Sequence, residues 1–323
     1  VQRSPHRLPL IAAPPHAHSL CRDHNHPVSN KRNSSTSNRE LIRCVALTRI
    51  IYGDGHWQLA QAFANLAHSY LILQGLPAQA IEHAESAKRT MLIGIRMPAA
   101  TPEDKREILG TLVTIYFTLG HIFLVVFLDC STGKESYLSL QKAERLMEEL
   151  QELDGRVSMG LKISEKDLVI ALGRTCLQQN MLDFATSYFE KAVDAVISTE
   201  GDTAPELINL YQKIAQSEQL KKNHERAIAY LLQAHSICMA LHKKLSVEAA
   251  QTALLLGKAY AATGDQQHIG TAEMYFTESL IAYQAALGAK DSLTLTAIEE
   301  FSKWLVYVGK KQSYFPEHSR RKQ

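Results

Sequence analysis

Cysteine is scarce in this 323-residue chain, and what there is lies scattered. Cys21, Cys44, Cys130, Cys176 and Cys238 form an odd set with no Cys-x-x-Cys pair. That pattern speaks against a disulfide framework and a thiolate zinc site, and it leads us to expect a reducing, intracellular compartment. Catalytic signatures are missing too. There is no phosphate-binding Gly-rich loop with Lys, no Gly-x-Ser-x-Gly elbow, no His-Glu-x-x-His and no EF-hand loop. Gly53-Asp54-Gly55 lacks the third glycine and the preceding strand of a dinucleotide loop, and reads as a turn between helices. No enzyme, cofactor or metal centre is therefore expected. Nor does one sign of charge dominate: 35 Lys+Arg against 33 Asp+Glu give +2, so net charge does not point to nucleic acid as a partner. The Pro-broken start has no apolar segment of the signal-peptide kind, and because it opens on Val we expect natural sequence to precede it.

The near-neutral sum conceals a distribution. Residues 1–38 hold five basic side chains and one acidic, and residues 310–323 repeat that ratio, so each end is +4. The body keeps 25 basic and 31 acidic side chains, or −6. Residues 1–38 also hold five of the ten prolines, five of the fourteen histidines and no aromatic residue, and end in the polar run Asn33–Asn38. Such a segment buries too little apolar area to offset its ordering entropy, so disorder is expected for 1–38 and for the tail 310–323. His16, His18, His24 and His26 beside Cys21 have the residue types of a metal site but no scaffold to hold them. Arg32-Asn33-Ser34 has the form of a basic-directed phosphorylation site, a short motif that arises often by chance.

From Arg39 to Gly309 the apolar spacing is helical, with no sustained alternation of period two, so an all-α body is expected over 39–309. Within it a pattern recurs. A first helix carries a large residue, Leu or Ile with a small residue three and four later, and a further position three beyond. A second helix then carries small, large and small residues at spacings of four and three. Phe63, Leu66, Ala67 and Tyr70 with Ala80, Ala84 and Ala87 make one copy. Tyr116, Leu119, Gly120 and Phe123 with Ser136, Leu140 and Ala143 make a second, and Val169, Leu172, Gly173 and Cys176 with Ala185, Phe189 and Ala192 a third. Tyr211, Ile214, Ala215 and Glu218 with Ala227, Leu231 and Ala234 follow, then Ala253, Leu256, Gly257 and Tyr260 with Ala272, Phe276 and Ser279. Ile298, Phe301, Ser302 and Leu305 form a sixth first helix, expected to stop at Gly309. The small first-helix positions are 53, 53, 42 and 42 residues apart, longer than the roughly 34 of the minimal tetratricopeptide unit. Small residues let paired helices approach while Leu, Phe and Tyr fill the space between neighbours. The fold class expected is thus all-α, a tetratricopeptide-repeat right-handed superhelical solenoid of antiparallel helix pairs.

Ile108–Leu128 runs 21 residues without a formal charge and is long enough to span a bilayer. Its His121, three Thr and two Gly, and the repeat pattern through its middle, favour a first helix buried on two faces. A membrane-associated protein using this segment or the basic ends is the competing reading.

A helical solenoid offers a concave surface lined by first helices. The residue after each small position should face it: His68, His121, Arg174, Gln216 and Lys258, with Asn65 and Lys213 within a turn. One reading is a solvated polar row; the other is a positive groove in an acidic body, suited to an acidic protein segment or peptide. His83 and His235 are expected on helix surfaces.

The stretch ALTRIIYGDGHWQLAQAFANLAHSYLILQG (46–75) resembles the tetratricopeptide repeats of kinesin light chains. Together with QKAERLMEEL (141–150) and the fifth copy it is similar to the tetratricopeptide repeat protein 23 and 23-like family, over about residues 39–305. The resemblance implies a non-catalytic cytoplasmic scaffold associated with the cytoskeleton, the centrosome or the ciliary base. It also implies that a further helix should follow the sixth first helix. Without one, Phe301, Trp304 and Leu305 should be incompletely covered, giving local fraying or self-association through the C-terminal helix.

Overall fold

The computed structural model describes residues 31–94, 101–126, 130–154, 163–242 and 244–314. Among these residues there are twelve α-helices, one short 3-10 turn and no strand. The helices are α1 (Lys31–Tyr52), α2 (Trp57–Ile72), α3 (Pro77–Gly94), α4 (Pro102–Val126), α5 (Cys130–Asp154) and α6 (Glu165–Gln178). They continue with α7 (Leu182–Glu200), α8 (Pro205–Leu220), α9 (His224–Leu241), α10 (Val247–Thr263), α11 (Ile269–Leu287) and α12 (Ser292–Tyr314).

Local chemistry sets the ends of these helices. Gly53, at φ +83°, closes α1, and the His56 ring accepts from the Gln58 backbone N–H to open α2. Thr101 and Asp104 exchange side-chain and backbone hydrogen bonds of 3.0 and 3.1 Å at the start of α4, so two orphan donors are satisfied reciprocally. Ser246 caps α10 by accepting from the Ala249 N–H at 3.1 Å, and left-handed Gly264 ends it. The turns after α6 and α8 place Asn180 and Lys222 at φ +58° and +63°. In each turn the next residue donates five positions back, Met181 to Cys176 and Asn223 to Glu218, both at 2.9 Å.

The chain divides into two compact units, 1–171 and 172–323, with the boundary inside α6. In the first, α1 lies on α2, α2 pairs with α3, α4 pairs with α5, and α4 rests on both α2 and α3. In the second, α7 lies on α8, α8 pairs with α9, α9 meets α10, α10 pairs with α11, and α12 closes on α11. The repeat pattern is what the core is made of. All fifteen second-helix positions, from Ala80, Ala84 and Ala87 through Ala272, Phe276 and Ser279, are buried. The small first-helix residues face them closely. A Cβ on Gly120 would stand 2.6 Å from Leu140 Cγ, one on Gly173 2.8 Å from the Phe189 ring, and one on Gly257 3.0 Å from the Phe276 ring. Large side chains on the second helices therefore occupy the space that the glycines vacate.

The apolar helix α4 packs inside its unit. Its mean hydropathy of 2.0 over a membrane-spanning length satisfies a composition test for a bilayer helix. Yet Leu109, Val113, Ile115, Phe117, Leu119, Ile122 and Leu124 are buried, while Thr111 and Thr114 hydroxyls donate to carbonyls one turn back. Ser136 of α5 donates to the Gly120 carbonyl at 2.8 Å, a contact only close helix pairing allows. Protein, in the form of α2, α3 and α5, covers most of the apolar surface that lipid would have to cover.

Several boundaries differ from expectation. Helix α1 starts at Lys31, inside the segment expected to lack structure, because Asn38 is buried and accepts from the Ser69 hydroxyl of α2. Helix α12 passes through Gly309 to Tyr314, so glycine does not stop it and 310–314 of the expected tail are helical. Cys44 is disulfide-bonded, whereas Cys176 and Cys238 are buried thiols outside any disulfide. Residues 1–30, with His16, His18, His24, His26 and Cys21, and residues 315–323 lie outside the described residues.

Candidate functional site

The seven candidate residues fall into two sets, one per unit. Asn65 and His68 lie half-buried on α2, and His121 half-buried on α4. Phe117 joins the two histidines: its ring centroid is 6.1 Å from His68 and 5.6 Å from His121, the latter edge-on. Neighbouring first helices thus present a histidine–phenylalanine–histidine cluster.

The second set is charged. Arg174 on α6 is exposed, Lys213 on α8 is half-buried, and Gln216 one turn further on accepts from the Lys213 ammonium at 3.4 Å. Partial burial and then the nearby Arg174 guanidinium hold the Lys213 ammonium below its usual pKa. Neither cation has a carboxylate partner among the described residues, so the two like charges face each other uncompensated. Lys258 on α10 differs: its ammonium is 2.8 Å from the Glu300 carboxylate of α12. The Lys258 hydrogen bond and charge hold Glu300 below its ordinary value. Lys258 is therefore a tie between helices, and Arg174 with Lys213 is the positive feature of this unit.

Sequence pattern alone missed Glu218. It occupies the fourth first-helix position, filled by Tyr70, Phe123, Cys176 and Tyr260 in other copies, and it is fully buried. Lys221 donates at 2.6 Å and Asn223 at 2.8 Å, with Arg226 at 3.6 Å and the Thr186 hydroxyl at 3.4 Å. Burial opposes its charge, but the hydrogen bonds from Lys221 and Asn223 and the charges of Lys221 and Arg226 prevail and keep its pKa low. The network reaches outward to Asp183, Glu190 and the Tyr230 hydroxyl. The available signal was local, the Lys221 and Asn223 three and five residues later in the α8–α9 turn, but an ion on an apolar stripe reads as an exception until its partners are seen.

His83 and His235 lie half-buried on their helices. His83 stacks on Tyr70 at 5.3 Å and Phe63 at 6.2 Å, and burial lowers its pKa. His235 hydrogen-bonds the Thr252 hydroxyl at 2.8 Å and meets the Tyr275 ring edge, with burial again lowering its pKa against the opposing Glu278 charge. Among the described residues no group of three His, Cys, Asp or Glu side chains could hold a metal ion.

Fifteen buried second-helix positions and three close glycine contacts describe repeated helix pairs, and sequence comparison agrees. No family model matches the chain. Tetratricopeptide repeat protein 23-like of Bos taurus is 52% identical over 241 residues, covering 75% of each chain. The chain belongs to the tetratricopeptide repeat protein 23-like family. The Mus musculus tetratricopeptide repeat protein 23-like sequence is 48% identical over 286 residues, 88% of this chain and 61% of that relative. The chain thus spans about three fifths of that relative's length. Among solved structures, BtubC (BKLC) from P. vanneervenii is similar at a TM-score of 0.47 and 17% identity, over 76% of this chain and 89% of that one. Within the tetratricopeptide repeat protein 23-like family, then, this chain supplies helix pairs whose first helices carry a histidine–phenylalanine cluster in one unit and paired cations in the other.

Proposed function

We propose that the protein is a non-catalytic interaction scaffold whose 172–323 unit binds an acidic protein segment or peptide through Arg174 and Lys213. The observation that carries this reading is the uncompensated pair of cations on α6 and α8, in a body that is otherwise net acidic. A carboxylate placed between them relieves their repulsion, which makes the site selective for acidic ligands. Gln216 adds a neutral polar contact beside them. Membership of a tetratricopeptide-repeat family supports the scaffold role, since paired helices present surface rather than reacting groups.

Binding of a labelled Glu-rich peptide, followed by fluorescence anisotropy, tests the site. Arg174→Glu with Lys213→Glu should lose capture while thermal unfolding stays unchanged, and rising salt should weaken the wild-type complex. Binding that survives the double charge reversal refutes the assignment.

The family resemblance further supports a cytoplasmic role at the cytoskeleton, the centrosome or the base of the cilium. Tagged protein in ciliated cells should concentrate at the ciliary base, and a uniformly diffuse signal contradicts that part of the reading. Self-association through α12 belongs to the same scaffold role, because Leu295, Leu305, Val306 and Tyr307 are large apolar side chains exposed on it.

A further inference from the structure

Arg174, Lys213 and Gln216 make a site that gives hydrogen bonds and accepts none. The Arg174 guanidinium is a planar fork of N–H donors and the Lys213 ammonium a compact charge with donors only. An amide does both, but the Gln216 carbonyl oxygen is taken by the Lys213 ammonium at 3.4 Å, which leaves its NH2 end for a ligand. Other cations of this unit are matched: Lys221 and Arg226 by Glu218, and Lys258 by Glu300. Arg174 and Lys213 instead bear on each other, and no carboxylate answers them among the described residues.

A carboxylate brings one negative charge and two oxygens, so it leaves one of these cations unmatched. A phosphate monoester brings about 1.5 to 2 negative charges near pH 7 and three acceptor oxygens, enough for both cations and the amide. The rest of α8 fits a phosphate carried on a protein chain. Asn209, Gln212, Gln216 and Gln219 fall at i, i+3, i+7 and i+10, one face of the helix over about 15 Å, with Lys213 beside them. Asn209 and Gln216 are exposed, Gln212 and Gln219 half-buried. A side-chain amide holds a donor and an acceptor, as a peptide unit does, so the row suits the main chain of an extended segment of about four or five residues.

We propose that Arg174, Lys213 and Gln216 take a phosphoserine or phosphothreonine within an acidic protein segment laid along α8. The proposal rests on the acidic-ligand reading of this site and adds the chemical group that fills it. Phosphorylation of the partner then switches binding on, because a bare hydroxyl in the same place offers no charge to the two cations.

Fluorescence anisotropy of the full chain with three labelled peptides tests it: the Glu-rich peptide, and the same peptide with its central Glu replaced by phosphoserine or by serine. The phosphoserine form should bind about tenfold or more tighter than the Glu form, with the serine form weakest. Arg174→Lys keeps the charge but removes the planar fork, so it should bring the phosphoserine and Glu forms to within about twofold of each other. Arg174 is exposed, and thermal unfolding of this variant should match wild type. Equal affinity of the Glu and phosphoserine forms for the wild-type chain overturns the phosphate assignment and keeps the acidic-ligand site. Failure of all three peptides to bind overturns both. Inorganic phosphate or phosphoinositide-containing vesicles that match the affinity of the phosphopeptide would show an anion site blind to the protein segment, which also overturns the proposal.

Discussion

The two units use one packing rule and different chemistry. In 31–171 the pairs close on apolar and aromatic contacts: Ala67 lies in a core with Ala84, Gly120 lies against Leu140, and His68, Phe117, His121 and His83 stack among rings. In 172–314 the same pairing carries ions through it: Glu218 buried among Lys221, Asn223 and Arg226, Lys258 tied to Glu300, and Arg174 facing Lys213. The repeat fixes which positions are small or large; what sits beside those positions decides whether a unit responds to salt and acid. Buried charges resist salt screening, so the salt response should come from Arg174 and Lys213, and the acid response from Glu218.

The largest expected effect is loss of the buried carboxylate. Glu218→Ala leaves Lys221 and Asn223 facing a void and should destabilise the second unit by about 3 to 5 kcal/mol, as removal of one partner from a buried ion pair does. Trp57 in the first unit and Trp304 in the second are the two tryptophans, so single-tryptophan variants followed in urea report each unit separately. A loss seen equally by Trp57 erases the contrast between the units.

Next come the glycines. Gly120→Ala and Gly173→Ala push a methyl into Leu140 and Phe189 and should cost about 1 to 3 kcal/mol from overpacking. Gly257→Ala meets Phe276 only at 3.0 Å, and its helix-propensity gain of about 1 kcal/mol offsets most of the strain. Equal unfolding midpoints for all three would show that the second helices adapt rather than set the spacing.

Acid separates the units in two steps. His56 and His83 in the first unit and His235 in the second have folded pKa values lowered from 6.5, chiefly by burial. The unfolded chain therefore takes up protons first, and stability falls in both units as pH drops below 6.5 toward the folded values. Glu218 is lowered from 4.5, so its contribution is complete above that pH and is lost as pH falls from 4.5 through its folded value. Only the Trp304 signal should show this second loss; Glu300, also held low, contributes to it, and Glu218→Gln should reduce it.

The smallest effect lies within the second unit. Lys222 holds a left-handed conformation that glycine adopts freely, so Lys222→Gly should stabilise by about 1 kcal/mol. Asn180, in the matching turn, tolerates that conformation already and should gain less from the same change.

Much of the fold was legible because helix pairing imposes short, regular spacing: positions 67, 120, 173, 215 and 257 are small for a reason visible in five copies. What escaped depends on partners far along the chain. Nothing near Lys258 announces Glu300, 42 residues away, and nothing near Asn38 announces Ser69. The polar run Asn33–Asn38 has the composition of a disordered segment, yet one buried hydrogen bond and the face of α2 hold it helical. Gly309 signals a helix end, yet α12 runs on through it.

Hydrogen exchange on the full chain with and without a Glu-rich peptide tests the central claim most directly, that the charged first helices of the second unit are the ligand surface. Slowed exchange at 172–178 and 205–220, with α2 and α4 unchanged, is the result expected. Slowing confined to α2 and α4, or absent everywhere at saturating peptide, would contradict it.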